Sequence, residues 1–205
     1  MKKIIINRCI NYIEKNTNYD ETKLKEIKYG LEGIYLTISK LIVIFTLSIV
    51  LGIFKEMILY LLIYNILRMP SFGLHATKSW ICLLSSTILF VGIPYLCIYL
   101  NISIYIKIII GILGICLMFK NSPADTKKKP IVNKKRRKIY KYISTLLAII
   151  FCCLSIIIKN NFISNCFIFS LIMQNCMISP ITYKIFKLPY NNYITFLKDH
   201  PDFIQ

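Results

Sequence analysis

From Ser79 to Ile106 the chain reads SWICLLSSTILFVGIPYLCIYLNISIYI, 28 residues without a charged side chain. A helix crosses the hydrocarbon of a bilayer in about 20 residues. This run is therefore too long for one span, and Gly92, Pro94 and Asn101 mark where it turns between two. Working outward, six stretches qualify as spans, at 34–54, 56–69, 79–97, 102–119, 141–158 and 162–183. The second is short, because its apolar centre, Met57 to Leu67, suits a tilted or partly re-entrant helix. The fourth carries Lys107 near its start, where a lysine can snorkel to the interface. Among 205 residues, 56% are hydrophobic and mean hydropathy is +0.60, more apolar surface than a water-soluble core of this length hides. The expectation is an all-α polytopic membrane protein of about six transmembrane helices.

The same chain carries 26 Lys and Arg against nine Asp and Glu, a formal charge of +17. A nucleic-acid reader would spread such charge with aromatics over a soluble face; here it lies between apolar runs, so no nucleic-acid partner is expected. The first 30 residues hold seven cations, and the 120–141 segment holds ten. Arg68 and Lys78 join them on one side if six helices alternate. The opposite connections carry only Lys55 and Lys159, so the positive-inside rule places both termini in the cytoplasm of a multi-pass cell-membrane protein.

Before the first span, Ile6, Ile10 and Ile13 share one helical face, and after Asn16–Asp20 a second helix running to Gly30 aligns Leu24, Ile27 and Leu31. Residues 1–30 thus read as amphipathic helices on the cytoplasmic face, anchored on anionic lipid. Residues 31–205 read as one transmembrane domain with a basic cytoplasmic loop at 120–141. The apolar stretch after Met1-Lys2-Lys3 is only Ile4 to Ile6, too short for a cleavable targeting segment.

Eight cysteines form no CxxC pair, and with two histidines a metal site has little to build on, so neither metal nor cofactor is expected. Cys97, Cys116, Cys152, Cys153, Cys166 and Cys176 fall inside apolar runs, where a thiol packs as a small hydrophobe. Cys82 differs. It opens the third span after Arg68-Met-Pro-Ser-Phe-Gly-Leu-His75-Ala-Thr-Lys78, a segment with helix breakers, two cations and His75. Seven residues of continuous helix rise about 10 Å, too far for an imidazole–thiol hydrogen bond, so Pro70 and Gly73 must let His75 fold back. The helix N-terminus and Lys78 would favour a thiolate, and an imidazole can take the thiol proton and return it to an amine leaving group. That is peptide-bond chemistry, set against a packed thiol beside an interfacial histidine.

Two segments resemble a known family, the AgrB accessory gene regulator membrane peptidases. One is Arg68, Gly73-x-His75-Ala76 and then Cys82; the other is Ser122-Pro123-Ala124-Asp125-Thr126 followed by Lys127-Lys128-Lys129-Pro130-Ile131. Length, apolar segments and the basic central loop extend the likeness over nearly the whole chain. Phe72-Gly73-Leu74 departs from the family, where many members show a Gly-Gly-aromatic run. The resemblance implies that His75 and Cys82 are the catalytic pair of a cysteine endopeptidase. Its partner would be an AgrD-like precursor peptide, cut on the C-terminal side of its future ring and closed to a thiolactone or lactone. Arg68 and Gly73 are expected to support the site's geometry.

The residue that orients the imidazole is open. Asp125 stands first, ahead of Asn65 and Ser71, and a helix cap or loop charge explains it equally well. Ser122, Pro123 and Lys129 join Asp125 as candidates for orienting or substrate binding. Glu32 and Glu56 read as boundary charges, and His200 as a solvated terminal residue. The 120–141 cations are expected at least to hold their loop in the cytoplasm, and beyond that to gather an acidic precursor tail and anionic lipid. Oligomeric state is open, and a homodimer is compatible with the sequence. The competing reading is a small helical transporter or structural membrane protein in which Cys82 and His75 merely pack.

Overall fold

A computed structural model describes residues 2–17, 19–74, 79–126 and 130–200. They form helices joined by loops, without a strand among the described residues. The helices are α1 (Lys2–Asn16), α2 (Glu21–Val50), α3 (Phe54–Ser71), α4 (Ser79–Tyr99), α5 (Ile104–Asn121), α6 (Lys134–Ile157), α7 (Asn161–Ile178), α8 (Pro180–Ile185) and α9 (Asn192–Asp199). The chain divides into two compact units, Met1–Leu51 and Gly52–Gln205.

In the first unit α1 and α2 contact one another. The expected face of α1 is the less exposed one: Ile6 is buried, and Ile10 and Ile13 are half-buried, as are Leu24, Ile27 and Leu31 on α2. Asp20 caps α2, accepting from the Lys23 amide at 3.3 Å. The expected stop at Gly30 does not occur. Gly30 and Gly33 lie inside one 30-residue helix, since neither is followed by a proline and an interior glycine costs only about 1 kcal/mol.

Among the described residues five helices are long and apolar enough to cross a membrane: α2, α4, α5, α6 and α7. The short second stretch folds as α3, an 18-residue helix that carries Lys55, Glu56 and Arg68 and buries Met57, Tyr60, Ile63, Tyr64 and Leu67. The turn expected between spans 79–97 and 102–119 falls at residues 100–103, so Asn101 marks it while Gly92 and Pro94 stay inside the helix. Ser79–Tyr99 is one continuous rod with a π-helical turn at Ile88–Gly92, where the Ile93 amide donates to the Ile88 carbonyl. The wider turn accommodates Pro94, which has no amide to offer the ladder.

The second unit is built around α7, which packs on α3, α4, α5 and α6. Its buried side mixes apolar groups, Cys166, Ile168, Leu171 and Ile178, with polar ones, Ser164, Asn165, Ser170, Gln174 and Asn175. In a bilayer such groups must find partners inside the protein. Asn165 Nδ2 donates to the carbonyls of Cys97 and Leu100, and Asn175 Nδ2 to those of Gly114 and Leu171. Lys107, rather than snorkelling outward, is buried with its Nζ 2.6 Å from Ser164 Oγ, which in turn donates to the Ser155 carbonyl. Of the six cysteines expected to pack, Cys97, Cys152 and Cys166 are buried; Cys116, Cys153 and Cys176 face outward from the bundle. The sixth expected stretch is shorter than its sequence suggested, because Ser179 ends α7 and caps Pro180–Ile185 through the Ile181 amide.

Candidate functional site

Both sequence segments that carry the resemblance lie in the second unit, and the fold brings them together. Ser71 to Leu74 follows α3, and Ser122 to Asp125 follows α5. The Gly73 amide donates to the Ala124 carbonyl at 3.0 Å, and the Ala124 amide to the Ser71 carbonyl at 3.1 Å. Phe72 and Ala124 thereby form a parallel bridge between two loops.

The first loop is held from three sides. Arg68, a turn from the end of α3, donates through Nη1 to Tyr64 Oη at 2.8 Å and through Nη2 to the Leu74 carbonyl at 3.3 Å. Gln174 of α7, wholly buried, donates through Nε2 to Ser71 Oγ at 2.6 Å and to the Phe72 carbonyl at 2.7 Å. The Leu74 amide donates at 3.0 Å to the carbonyl of Met177 in the last turn of α7, a group no intrahelical amide reaches.

Two consecutive residues in this loop adopt positive φ, Phe72 at 57° and Gly73 at 117°. For Gly73 the conformation is accessible only to glycine, and the space is closed as well: a Cβ there would stand 3.0 Å from the Met177 carbonyl oxygen. Phe72 has no such freedom. A bulky side chain at this φ costs about 1–3 kcal/mol and persists only where its surroundings over-determine it. Here its ring meets Tyr140 edge-on at 5.1 Å, and its carbonyl is gripped by Gln174. The departure from a family pattern rich in glycine falls on the residue whose backbone most wants one.

The second loop is more deeply buried. Ser122, Pro123, Ala124 and Asp125 are all inaccessible, and the Ser122–Pro123 peptide is cis. Ser122 Oγ shares a hydrogen bond with Ser144 Oγ of α6 at 2.6 Å. Both Asp125 carboxylate oxygens are engaged. Oδ1 accepts from the Asn192 amide at 3.0 Å, and Oδ2 accepts from the Tyr193 amide at 2.8 Å and the Ile131 amide at 3.4 Å. Arg137 stands 3.5 Å away as counter-ion, its guanidinium stacked 3.4 Å over the Tyr193 ring. Asp125 thus caps α9 from another part of the chain, placing a negative charge on amides no helical carbonyl reaches. Its own carbonyl accepts from Tyr183 Oη at 3.0 Å. Burial, then the Asp125 charge, push the Tyr183 phenol well above its usual range, so it serves as a neutral donor.

Cys82 lies in the first turns of α4, half-buried, with its carbonyl accepting from Ser85 Oγ at 3.2 Å. No residue from Ser79 to Thr87 is buried. His75 and Lys129 lie outside the described residues. Of the secondary candidates, Asn65 Nδ2 donates to the Leu61 carbonyl of its own helix, and Ser71 Oγ donates to the Leu67 carbonyl while accepting from Gln174. Among the described residues no group of His, Cys, Asp and Glu is arranged to hold a metal ion.

Of the residues that hold these loops, the sequence marks Gln174 only as a polar group within a span and Arg137 only as one of the 120–141 cations, and it does not single out Tyr183 or Asn192. The available signal was a carboxamide buried in an apolar span, which needs a specific partner in the bundle.

The family model described as "Accessory gene regulator B" matches residues 6–178. A "Putative AgrB-like protein" of Clostridium acetobutylicum is 33% identical over 184 residues, covering 90% of this chain and 88% of that protein. A protein of the same description from Listeria monocytogenes is 32% identical over 176 residues, 85% of each chain. An "Accessory gene regulator protein B" of Staphylococcus aureus is 31% identical over 159 residues, 77% of this chain and 82% of that one. No solved structure matches. A match running from the amphipathic N-terminal helix to the end of α7, over both interlocked loops, means that the chain belongs to the accessory gene regulator B family.

Proposed function

We propose that this chain is a membrane-embedded cysteine endopeptidase that cleaves an AgrD-like precursor peptide and supports closure of its ring. The observation that carries the reading is the strained loop Ser71–Leu74, which ends one residue short of His75 and is fastened to the Pro123-Ala124-Asp125 loop, to α7 and to Arg68. Strain of this kind clusters where a backbone must present a reactive group in one orientation.

In the proposed mechanism His75 takes the proton of Cys82, and the thiolate attacks the scissile carbonyl. The C–N bond breaks as His75 gives the proton to the departing amine, which leaves the N-terminal part of the precursor as a thioester on Cys82. A thiol or hydroxyl within the peptide then attacks that thioester, closes a thiolactone or lactone, and frees the cysteine. Exchange of one thioester for another is close to neutral in bond energy, whereas the first step makes a thioester from a more stable amide. Removal of the released tail therefore draws the reaction forward. A site at the membrane interface keeps the tethered nucleophile closer than water.

Arg68 and Gly73 serve as positioning residues for the segment that leads to His75. Ser122, Pro123 and Asp125 hold the opposing loop, and Lys129 belongs to the basic stretch that would meet an acidic precursor tail. With α3 as the sixth crossing, both termini lie in the cytoplasm, as the distribution of cations requires.

The test is co-expression of the full chain with a short candidate precursor, reading the released peptide by mass spectrometry. Processing is lost in Cys82→Ala and retained in Cys97→Ala. Processing that survives Cys82→Ala overturns the proposal.

A further inference from the structure

Where α5 ends, α6 begins and the chain passes from α8 to α9, the second unit carries a partly open cleft of about 510 Å³. Its lining includes Lys120, Arg137, Lys138 and Lys141, together with Tyr190 and Tyr193, and among the described residues no carboxylate lines it. Asp125, the carboxylate paired with Arg137, is already shared among the amides of Ile131, Asn192 and Tyr193. Arg137 Nη1 is buried and faces Asp125 Oδ2 at 3.5 Å, an ion pair too long for a hydrogen bond. Four cations gathered along one cleft repel one another. The positive-inside rule accounts for the number of cations in this segment, but not for four of them lining a single cleft.

We propose that this cleft is a binding site for the phosphate group of an anionic phospholipid. Two observations favour a lipid over an acidic peptide. The cleft lies at the ends of two membrane-crossing helices, with Lys120 in the last turn of α5 and Lys141 where the charged start of α6 gives way to its apolar run. The neighbours of its lysines, Phe119, Ile139 and Tyr142, are exposed apolar side chains, so a headgroup held inside leaves acyl chains against a surface that welcomes them. Tyrosine at such a boundary offers hydroxyls to the headgroup and ring to the chains. Bound phosphate bridges α5, α6 and the segment that carries α9, and so reinforces the clamp around Asp125. This inference rests on the membrane fold and not on the catalytic reading.

The test uses the purified full-length protein in neutral detergent, with native mass spectrometry and thermal melting as readouts. Phosphatidylglycerol and phosphatidylcholine are compared, with inorganic phosphate and an acidic peptide as further arms. One phosphatidylglycerol is retained per chain at least tenfold more tightly than phosphatidylcholine, and it alone raises the melting temperature. K120Q/K141Q loses that preference. K134Q/K135Q, which removes the same charge from exposed positions outside the cleft, keeps it. Should K120Q/K141Q melt early without lipid, K138Q serves in its place and weakens binding several-fold. Equal loss in the cleft and control pairs overturns the proposal, as does the absence of any headgroup preference. Stabilisation by inorganic phosphate equal to that by lipid assigns the site to a free anion and overturns the lipid source. Displacement of phosphatidylglycerol by a more tightly held acidic peptide assigns it to a peptide and does the same.

Discussion

The two motif-bearing regions of this protein are built in opposite ways. The pair of loops at Ser71–Leu74 and Ser122–Asp125 is closed on every side by hydrogen bonds from α3, α6, α7 and α9, and the second loop is fully buried. The start of α4, which carries Cys82, has no buried residue from Ser79 to Thr87. Local stability follows buried contacts and satisfied backbone groups, so the two regions sit at opposite ends of that scale. In the proposed reaction this is a workable division. A rigid pair of loops fixes where the base is delivered, while the nucleophile stands on a surface open to an extended chain.

The largest expected effects break the rigid side at its least tolerant atom. Gly73→Ala places a methyl group 3.0 Å from the Met177 carbonyl oxygen at a φ that alanine resists. The strain, about 1–3 kcal/mol, falls on the segment that leads to His75. Precursor processing should drop by roughly tenfold to a hundredfold, since each 1.4 kcal/mol is a factor of ten. The bundle meanwhile melts within a few degrees of the parent, because the added methyl group meets only the end of α7. Normal processing by Gly73→Ala would show that the loop is not part of the reaction's geometry.

Next comes Asp125→Asn, which keeps the shape of the clamp but turns a donor toward backbone amides and leaves Arg137 without a counter-ion. A hydrogen bond to a charged group is worth roughly 1.5–3 kcal/mol, so a lower melting temperature and faster amide exchange in Asn192–Asp199 are expected together. Exchange unchanged in that helix would mean the cap does not hold it. Gln174→Leu should cost less, about 1 kcal/mol, because Ser71 Oγ keeps its bond to the Leu67 carbonyl and inter-helix hydrogen bonds in membranes average below that figure. Processing should fall in this variant more than stability does, since the carboxamide bonds the loop and not the core.

Much of the fold was legible because apolar length and charge placement are one-dimensional signals. The uncharged run from Ser79 and the cations at 120–141 needed no knowledge of neighbours. The misplacements had local physical reasons. Gly30 passed through the middle of α2, and Lys107 found Ser164 in place of the interface. Of the site, the sequence pointed to the two segments but not to their union. Nothing in Gly73 or Ala124 announces a bridge between loops about 50 residues apart, since their bonds run through backbone groups every residue owns. Asp125 was chosen as the acid in a recognisable segment, yet its partners, the amides of Ile131, Asn192 and Tyr193, carry no residue-type signature at all.

The smallest effect separates strain from packing within the rigid side, at Phe72. Removing its ring forfeits an edge-on contact with Tyr140, worth about 0.5–1.5 kcal/mol beyond the area buried. That loss is common to Phe72→Ala and Phe72→Gly. The two differ only in the backbone, where alanine keeps the penalty of φ at 57° and glycine does not. On ordinary grounds alanine is the more stabilising residue, by roughly 0.5–1 kcal/mol, because glycine leaves the unfolded chain more freedom. Here the order should invert, with Phe72→Gly more stable than Phe72→Ala by about 1 kcal/mol, the left-handed penalty for a residue with a Cβ being roughly 1–2 kcal/mol. Melting of both variants in the same detergent decides it. The usual order, alanine above glycine, would mean that the loop relaxes out of positive φ once the ring is gone. The ring, rather than the hydrogen bonds to Ala124 and Gln174, would then be what holds the backbone there.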